Sequence, residues 1–340
     1  MDISEVIKKP EYAFLQTNPR LGNNIMFLCF GGSHAYGTNT SDSDIDIRGC
    51  AFNSKADLLG MSNFEQVLDN PTDTVIYGFN KLVGLLVNMN PNTIELLGCK
   101  PEHYVFASPV AHELIANKEL FLSKKAIASF GGYAMQQLRR LQSAIARDAL
   151  GPKEKEQHLL NAMRRAMMSF ESKYAKFDEG CVKLYIDKSN QEDVETEIFM
   201  DASLTHYPLR DYKSMWAEFN EIVKVYGKLN HRNNKKDNEH LNKHAQHLIR
   251  LYLMVFDILE RGEIITYRAD DLELLSTIRD GEFLNEDGTY RSEFFELVDE
   301  YEKHFEYAAK NTDLPAKPNM RKIEEFVMSV NERVVLSRLR

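Results

Sequence analysis

The residues whose types and spacing point most clearly to chemistry are Asp44 and Asp46, which follow the serine of Gly31-Gly32-Ser33 by eleven and thirteen positions. In an extended segment, side chains repeat with period two, so the two carboxylates share one face a few ångströms apart. Carboxylates that close repel each other unless a cation lies between them, which suits a hard divalent ion bound through oxygen. The glycines let backbone N–H groups approach a phosphate, and the Ser33 hydroxyl can donate to the same group. A phosphate cradle facing paired carboxylates is what metal-assisted nucleotidyl transfer requires: one cation holds the triphosphate, and a second lowers the pKa of the attacking hydroxyl. Asp-x-Asp or Gly-Ser alone would read as an ordinary structural turn. Their order, spacing and placement on consecutive strands favour the metal site.

These residues need particular elements to hold them. The apolar run 24–30 ends at Gly31-Gly32, as a buried strand entering a tight turn should. Residues 45–50 alternate apolar and polar, the mark of a second strand with one packed face. The β-branched stretch 73–77 predicts a third strand leading into a helix over 79–88, and Asn90-Pro91-Asn92 breaks the chain before a short helix at 93–97. From about Ser123 onward, apolar residues recur at helical spacing over 133–146, 154–177, 212–226, 240–259 and 291–309. The polar segments 187–206 and 229–240 read as exposed insertions or loops. The expected fold is α+β: a domain over 1–122 with a short mixed sheet, followed by an all-helical domain over 123–340.

Composition narrows the class. A hydrophobic content of 43% with 27% charged residues excludes a disordered or collagen-like chain. No apolar run approaches the ~18 residues of a membrane span, and the opening MDISEVIKKPEYAF lacks an apolar signal-peptide core, so a cytoplasmic protein is expected. Cys29, Cys50, Cys99 and Cys181 form no Cys-x-x-Cys pair and read as reduced thiols. The net charge of −9 excludes non-specific coating of nucleic acid, so a polyanionic substrate needs a local basic patch. Lys243, His247 and Arg250 offer one as a cationic stripe on a helix. His240, His244 and His247 have a spacing that could bind zinc, but the stripe fits phosphate better. The pairs Arg139-Arg140 and Arg164-Arg165 read as solvated faces or as nucleotide or RNA contacts, and Met163, Met167 and Met168 as core packing.

The run GGSHAYGTNTSDSDIDIRG over 31–49 resembles the signature of the DNA polymerase β-like nucleotidyltransferase superfamily, and is most similar to the RNA-repair-pathway (RlaP/YcgL-like) members. The stretches beginning at Asp73, Asn90, Lys243 and Leu274 resemble later family blocks, in the same order. One departure is His34, where relatives often carry arginine after the serine. The resemblance implies transfer of a nucleoside monophosphate from a nucleoside triphosphate to a hydroxyl, with release of pyrophosphate. It implies two Mg²⁺ ions, replaceable by Mn²⁺, on Asp44, Asp46 and a third carboxylate from a later strand, for which Asp73 competes with Glu95. Gly32 and Ser33 would hold the β- and γ-phosphates, and Lys243, His247 and Arg250 would contact the nucleotide. Tyr133 and Gln137 resemble nucleotide-side positions only loosely. An RNA (tRNA-like) end is the implied acceptor, with no membrane and no stable protein partner. Transfer to a small molecule or a protein side chain is the first alternative, and a non-catalytic nucleotide-binding regulatory module the second.

Overall fold

The computed structural model describes residues 3–41, 43–148, 182–188, 196–203, 205–231, 238–286 and 289–337. Its N-terminal part is built on a five-stranded sheet of β1 (Ile25–Phe30), β2 (Ile47–Ala51), β3 (Gln66–Asp69), β4 (Thr74–Gly78) and β5 (Tyr104–Ala107) in the order β3-β4-β2-β1-β5. β1 runs antiparallel to β2 and β5, β4 runs parallel to β2, and β3 is antiparallel to β4, so the sheet is mixed. The apolar run of β1 has its cause in burial: Met26, Phe27, Leu28 and Cys29 are each no more than 3% exposed. A short helix, α1 (Gly32–Tyr36), follows β1 directly and ends at Gly37, whose φ of 82° is the left-handed conformation that closes a helix without a side-chain clash. Helix α2 (Phe79–Val87) buries Phe79, Leu82, Val83 and Leu86, the i, i+3, i+4, i+7 face.

Two strands were not expected from the sequence. β3 and β5 are four-residue edge strands that stay partly exposed, so neither carries an unbroken apolar run. β2 also begins later than expected, at Ile47. Asp44 and Asp46 therefore lie in the extended segment entering the strand, tied to the turn where the Gly31 N–H donates to the Asp46 carbonyl at 2.9 Å.

The chain forms two compact units. One comprises residues 1–138 with 242–340, the other 139–241. The first contains the sheet, α3 (Pro109–Ala116), most of the described length of α6 (Asn238–Phe256), and α7 (Leu272–Arg279), α8 (Ser292–Asn311) and α9 (Met320–Val335). Helix α4 (Lys125–Asp148) leads out of it, and α5 (Tyr212–His231) belongs to the second unit. The C-terminal part is mostly helical, with one correction to the all-helical expectation. Val182–Lys188 and Thr196–Ala202 pair antiparallel as a hairpin, β6 and β7, across part of the segment expected to be a polar loop. Each strand has an apolar centre, Leu184-Tyr185-Ile186 and Ile198-Phe199-Met200, flanked by charged residues, a pattern that the polar connection between them obscures. The expected helix over 154–177, with Met163, Met167, Met168 and Arg164-Arg165, lies outside the described residues, as does Cys181.

Within the first unit, α6 is joined to the motif region by a buried ion pair. Arg250 is 2% exposed and Glu95 6%. Arg250 Nη1 stands 3.1 Å from Glu95 Oε2, the Tyr36 hydroxyl donates to the same carboxylate at 3.0 Å, and the guanidinium lies 3.6 Å from the centre of the Tyr36 ring. Thr266 donates to the Glu95 carbonyl, and the Arg268 N–H donates to the Tyr36 carbonyl. Removing one member of a buried pair strands the other charge, at a typical loss of roughly 3–5 kcal/mol. Glu95→Ala should destabilise the protein by that order in urea unfolding, and the double variant Glu95→Ala/Arg250→Met should recover part of it. A single variant as stable as the parent would show that the pair does not hold the fold.

Candidate active site

Parallel pairing places the acidic residues. β2 and β4 run in register with Ile47 opposite Thr74 and Arg48 opposite Val75, so the residues just before the two strands, Asp46 and Asp73, emerge side by side. Their carboxyls are hydrogen-bonded, which requires one proton between them. Burial raises Asp46 most, and the Asp73 carboxylate and the charge of Asp44 push it further, against the opposing pull of Arg48, to about 7. The hydrogen bond from Asp46 is also the largest influence on Asp73, and with Arg48 it holds Asp73 below the usual carboxylate range. Below about pH 7, Asp46 is therefore the member of the pair that holds the proton.

The Gly31–Ser33 turn closes on this pair. Gly32 has a φ of 55°, and a Cβ built on it would fall 1.7 Å from Asp46 Oδ2. The carboxylate therefore lies directly against the backbone that the sequence proposed as a phosphate cradle, and glycine is required there both for its conformation and for the space. Ser33 is half-buried at the start of α1. His34 stacks on Phe30 with ring centroids 5.3 Å apart, and its buried Nε2 has no hydrogen-bond partner among the described residues.

The two rivals for third carboxylate occupy different settings. Asp73 touches Asp46, whereas Glu95 is taken up by Arg250 and Tyr36. Asp44 is exposed, two residues from Asp46 and close enough to act on its charge. Among the described residues, no group of three or more His, Cys, Asp or Glu is gathered as a metal-holding cluster. The donors that do come together are hard carboxylate oxygens, of a type that suits Mg²⁺ or Mn²⁺, and a cation can take the place of their shared proton.

The helical stripe is only partly displayed. Lys243 and His247 are half-buried on α6, while Arg250 points into the interior toward Glu95. Arg250 Nη2 lies 3.1 Å from His247 Nδ1. Arginine can only donate, so that nitrogen accepts and the imidazole proton sits on Nε2. His244 Nδ1 is 3.3 Å from Gln137 Oε1, and Asn90 donates to the Tyr133 hydroxyl. The side chain of His240 lies outside those described. Sequence reasoning passed over Arg48, whose guanidinium reaches both Asp46 and Asp73. Its signal was present: it follows Asp46 by two positions and so shares its face.

The shared proton has a thermodynamic consequence. Asp46 holds a proton more tightly when folded than when unfolded, so between about pH 4, the ordinary aspartate value, and about 7 the folded state carries the extra proton. Stability of the metal-free protein should fall as pH rises through that window. Urea midpoints measured in EDTA across it should show the decline, and Asp46→Asn should flatten it. An unchanged slope in the variant would mean that the pair does not share a proton.

No curated protein and no solved structure matches the chain. A family model does, over residues 7–172, a span that takes in β1, the Gly31–Ser33 turn, Asp44, Asp46 and Asp73. Over those residues the chain is similar to the RNA repair pathway DNA polymerase beta family, RlaP.

Proposed function

We propose that this protein transfers a nucleoside monophosphate from a nucleoside triphosphate to the hydroxyl of an RNA end in the cytoplasm, releasing pyrophosphate. The observation that carries the proposal is the placement of Asp46 and Asp73 together against the Gly32 backbone. Catalysis is assigned to residues 1–122, and further nucleotide and acceptor contacts to the helical residues 123–340.

In the reaction, the acceptor oxygen forms a bond to the α-phosphorus, the bond from that phosphorus to the bridging oxygen breaks, and pyrophosphate leaves with the bonding electrons. Asp44, Asp46 and Asp73 would hold two Mg²⁺ ions, or Mn²⁺, which when bound neutralise phosphate charge and acidify the attacking hydroxyl. Asp73, kept ionised, faces that hydroxyl and orients it. Gly32 offers backbone N–H, and Ser33 its hydroxyl, to the β- and γ-phosphates. Lys243 and the Nε2–H of His247 meet the triphosphate. Arg250, drawn inward by Glu95 and Tyr36, supports His247 rather than meeting the nucleotide itself.

A second reading, transfer to a small molecule or a protein side chain, is favoured by the net charge of −9, which repels RNA at long range. Incubation with each labelled triphosphate, Mg²⁺, total RNA and cell lysate separates the two. Label in RNA supports the first, and label in protein or small molecules alone supports the second. Triphosphate binding with no transfer to any acceptor would indicate a regulatory module.

Asp44→Ala should reduce transfer by more than the roughly 10- to 100-fold typical of losing an outer-shell metal partner. Its melting temperature should stay level or rise slightly, because one of the clustered negative charges is gone. Lys243→Ala should raise KM for the triphosphate with little change in kcat. A large loss of stability in Asp44→Ala would make the acidic segment structural and remove the basis of the assignment.

A further inference from the structure

Asp73 occupies an unusual backbone position: its φ of 42° lies in the left-handed region, which an aspartate reaches at some expense. It sits at the exposed mouth of the sheet with a side chain 64% accessible. An exposed residue in that conformation would ordinarily relax, so something must hold it. Arg48 supplies two points of attachment. Its Nη1 donates to the Asp73 carbonyl oxygen and, at 3.1 Å, to the Ile47 carbonyl, while Nη2 stands 3.3 Å from Asp73 Oδ1 and 3.6 Å from Asp46 Oδ1. The Arg48 side chain is only 20% exposed, and its stem passes so close to the turn that a Cβ on Gly31 would come within 2.7 Å of Arg48 Cγ. The motif turn, the acidic pair and the backbone entering β4 thus meet on one arginine side chain.

From this geometry we infer that Arg48 is a positioning residue for nucleotidyl transfer, clamping the backbone and the carboxylate of Asp73 so that it stays beside Asp46 in the arrangement a divalent cation needs. The inference rests on the reading of Asp46 and Asp73 as cation ligands. It requires arginine: a lysine ammonium is a single point charge that can reach the carbonyl or the carboxylate, but cannot present parallel N–H groups to both. It also requires that Arg48 act through Asp73 and not on the substrate.

The experiment uses the full chain and two readouts, Mn²⁺ binding to the protein alone, followed by electron paramagnetic resonance, and steady-state transfer. Arg48→Gln should weaken Mn²⁺ binding and lower kcat by about tenfold or more, the scale of losing an outer-shell partner, with KM for the triphosphate within about threefold of the parent. Arg48→Lys should restore part of both. Asp73→Asn should show the same two losses, and the double variant Arg48→Gln/Asp73→Asn should be no worse than Asp73→Asn, because the clamp has nothing left to hold. Gly31→Ala, whose Cβ crowds the Arg48 stem at 2.7 Å while meeting Asp46 Cβ only at an ordinary 3.4 Å, should reproduce a weaker form of the Arg48→Gln losses.

Losses that multiply in the double variant would overturn the inference, as would an Arg48→Gln protein with parental Mn²⁺ affinity and kcat beside a defective Asp73→Asn. Parental behaviour of Asp73→Asn itself would instead remove the ligand reading beneath it. Should Arg48→Gln fail to fold, Arg48→Lys and Gly31→Ala carry the same comparison, and folded, fully active versions of both would refute the clamp.

Discussion

The constraint that organises this protein is electrostatic: two carboxylates must stand side by side. Like charges 4 Å apart repel by about 1 kcal/mol in water and about 4 kcal/mol at the effective dielectric of a protein surface. The parallel register of β2 and β4 imposes the approach, since sliding β4 by one residue would put Asp73 out of line with Asp46 and exchange the faces of its side chains. The chain answers the repulsion twice. A proton is kept on Asp46, and the Arg48 guanidinium sits across both oxygens. Both devices are of a kind that a bound divalent cation would displace.

The second fixed point is the buried Glu95–Arg250 pair. Desolvating an ion pair seldom stabilises a fold by itself, so what such a pair secures is geometry. Here Tyr36, the last residue of α1, donates to Glu95 and lies under the Arg250 guanidinium, so the C-terminal end of the motif helix is anchored from both sides. Gly37 follows in a left-handed turn packed against the Tyr267 ring, where a Cβ would come within 2.5 Å of the ring carbons. The Gly31–Ser33 turn is therefore held at one end by the β1 ladder and at the other by this cluster. A residue that competes in the sequence for a catalytic role, Glu95, serves the scaffold instead. Arg250 and Tyr36 both hold its carboxylate, and the Arg250 guanidinium compensates its charge.

How much of this was legible beforehand follows from where the physical signals are local. β1 announces itself because a strand buried on both faces must be continuously apolar, and the Gly-Ser turn with Asp-x-Asp is visible because its chemistry depends on short spacings. β3 and β5 were silent because edge strands of four residues keep half their surface in water. The β6–β7 hairpin was masked by a polar connection that dominates the composition of its neighbourhood. The burial of Arg250 was hidden for a different reason. Helical periodicity shows which residues share a face, but whether that face meets solvent or a buried glutamate 155 residues away is a tertiary fact.

The same distinction explains why Asp73 was proposed and Arg48 was passed over. A carboxylate opening a β-branched strand is conspicuous, whereas an arginine two residues beyond an aspartate reads as an ordinary exposed position on an alternating strand. Its role arises only when a parallel neighbour brings a second carboxylate, and a carbonyl in an unusual conformation, within reach of one guanidinium. Two planar donor arms can satisfy a backbone acceptor and a carboxylate at once, so a single side chain couples the path of the chain before β4 to the charge balance of the acidic pair. Electrostatics and backbone conformation at this site are therefore one constraint, and neither can change without the other.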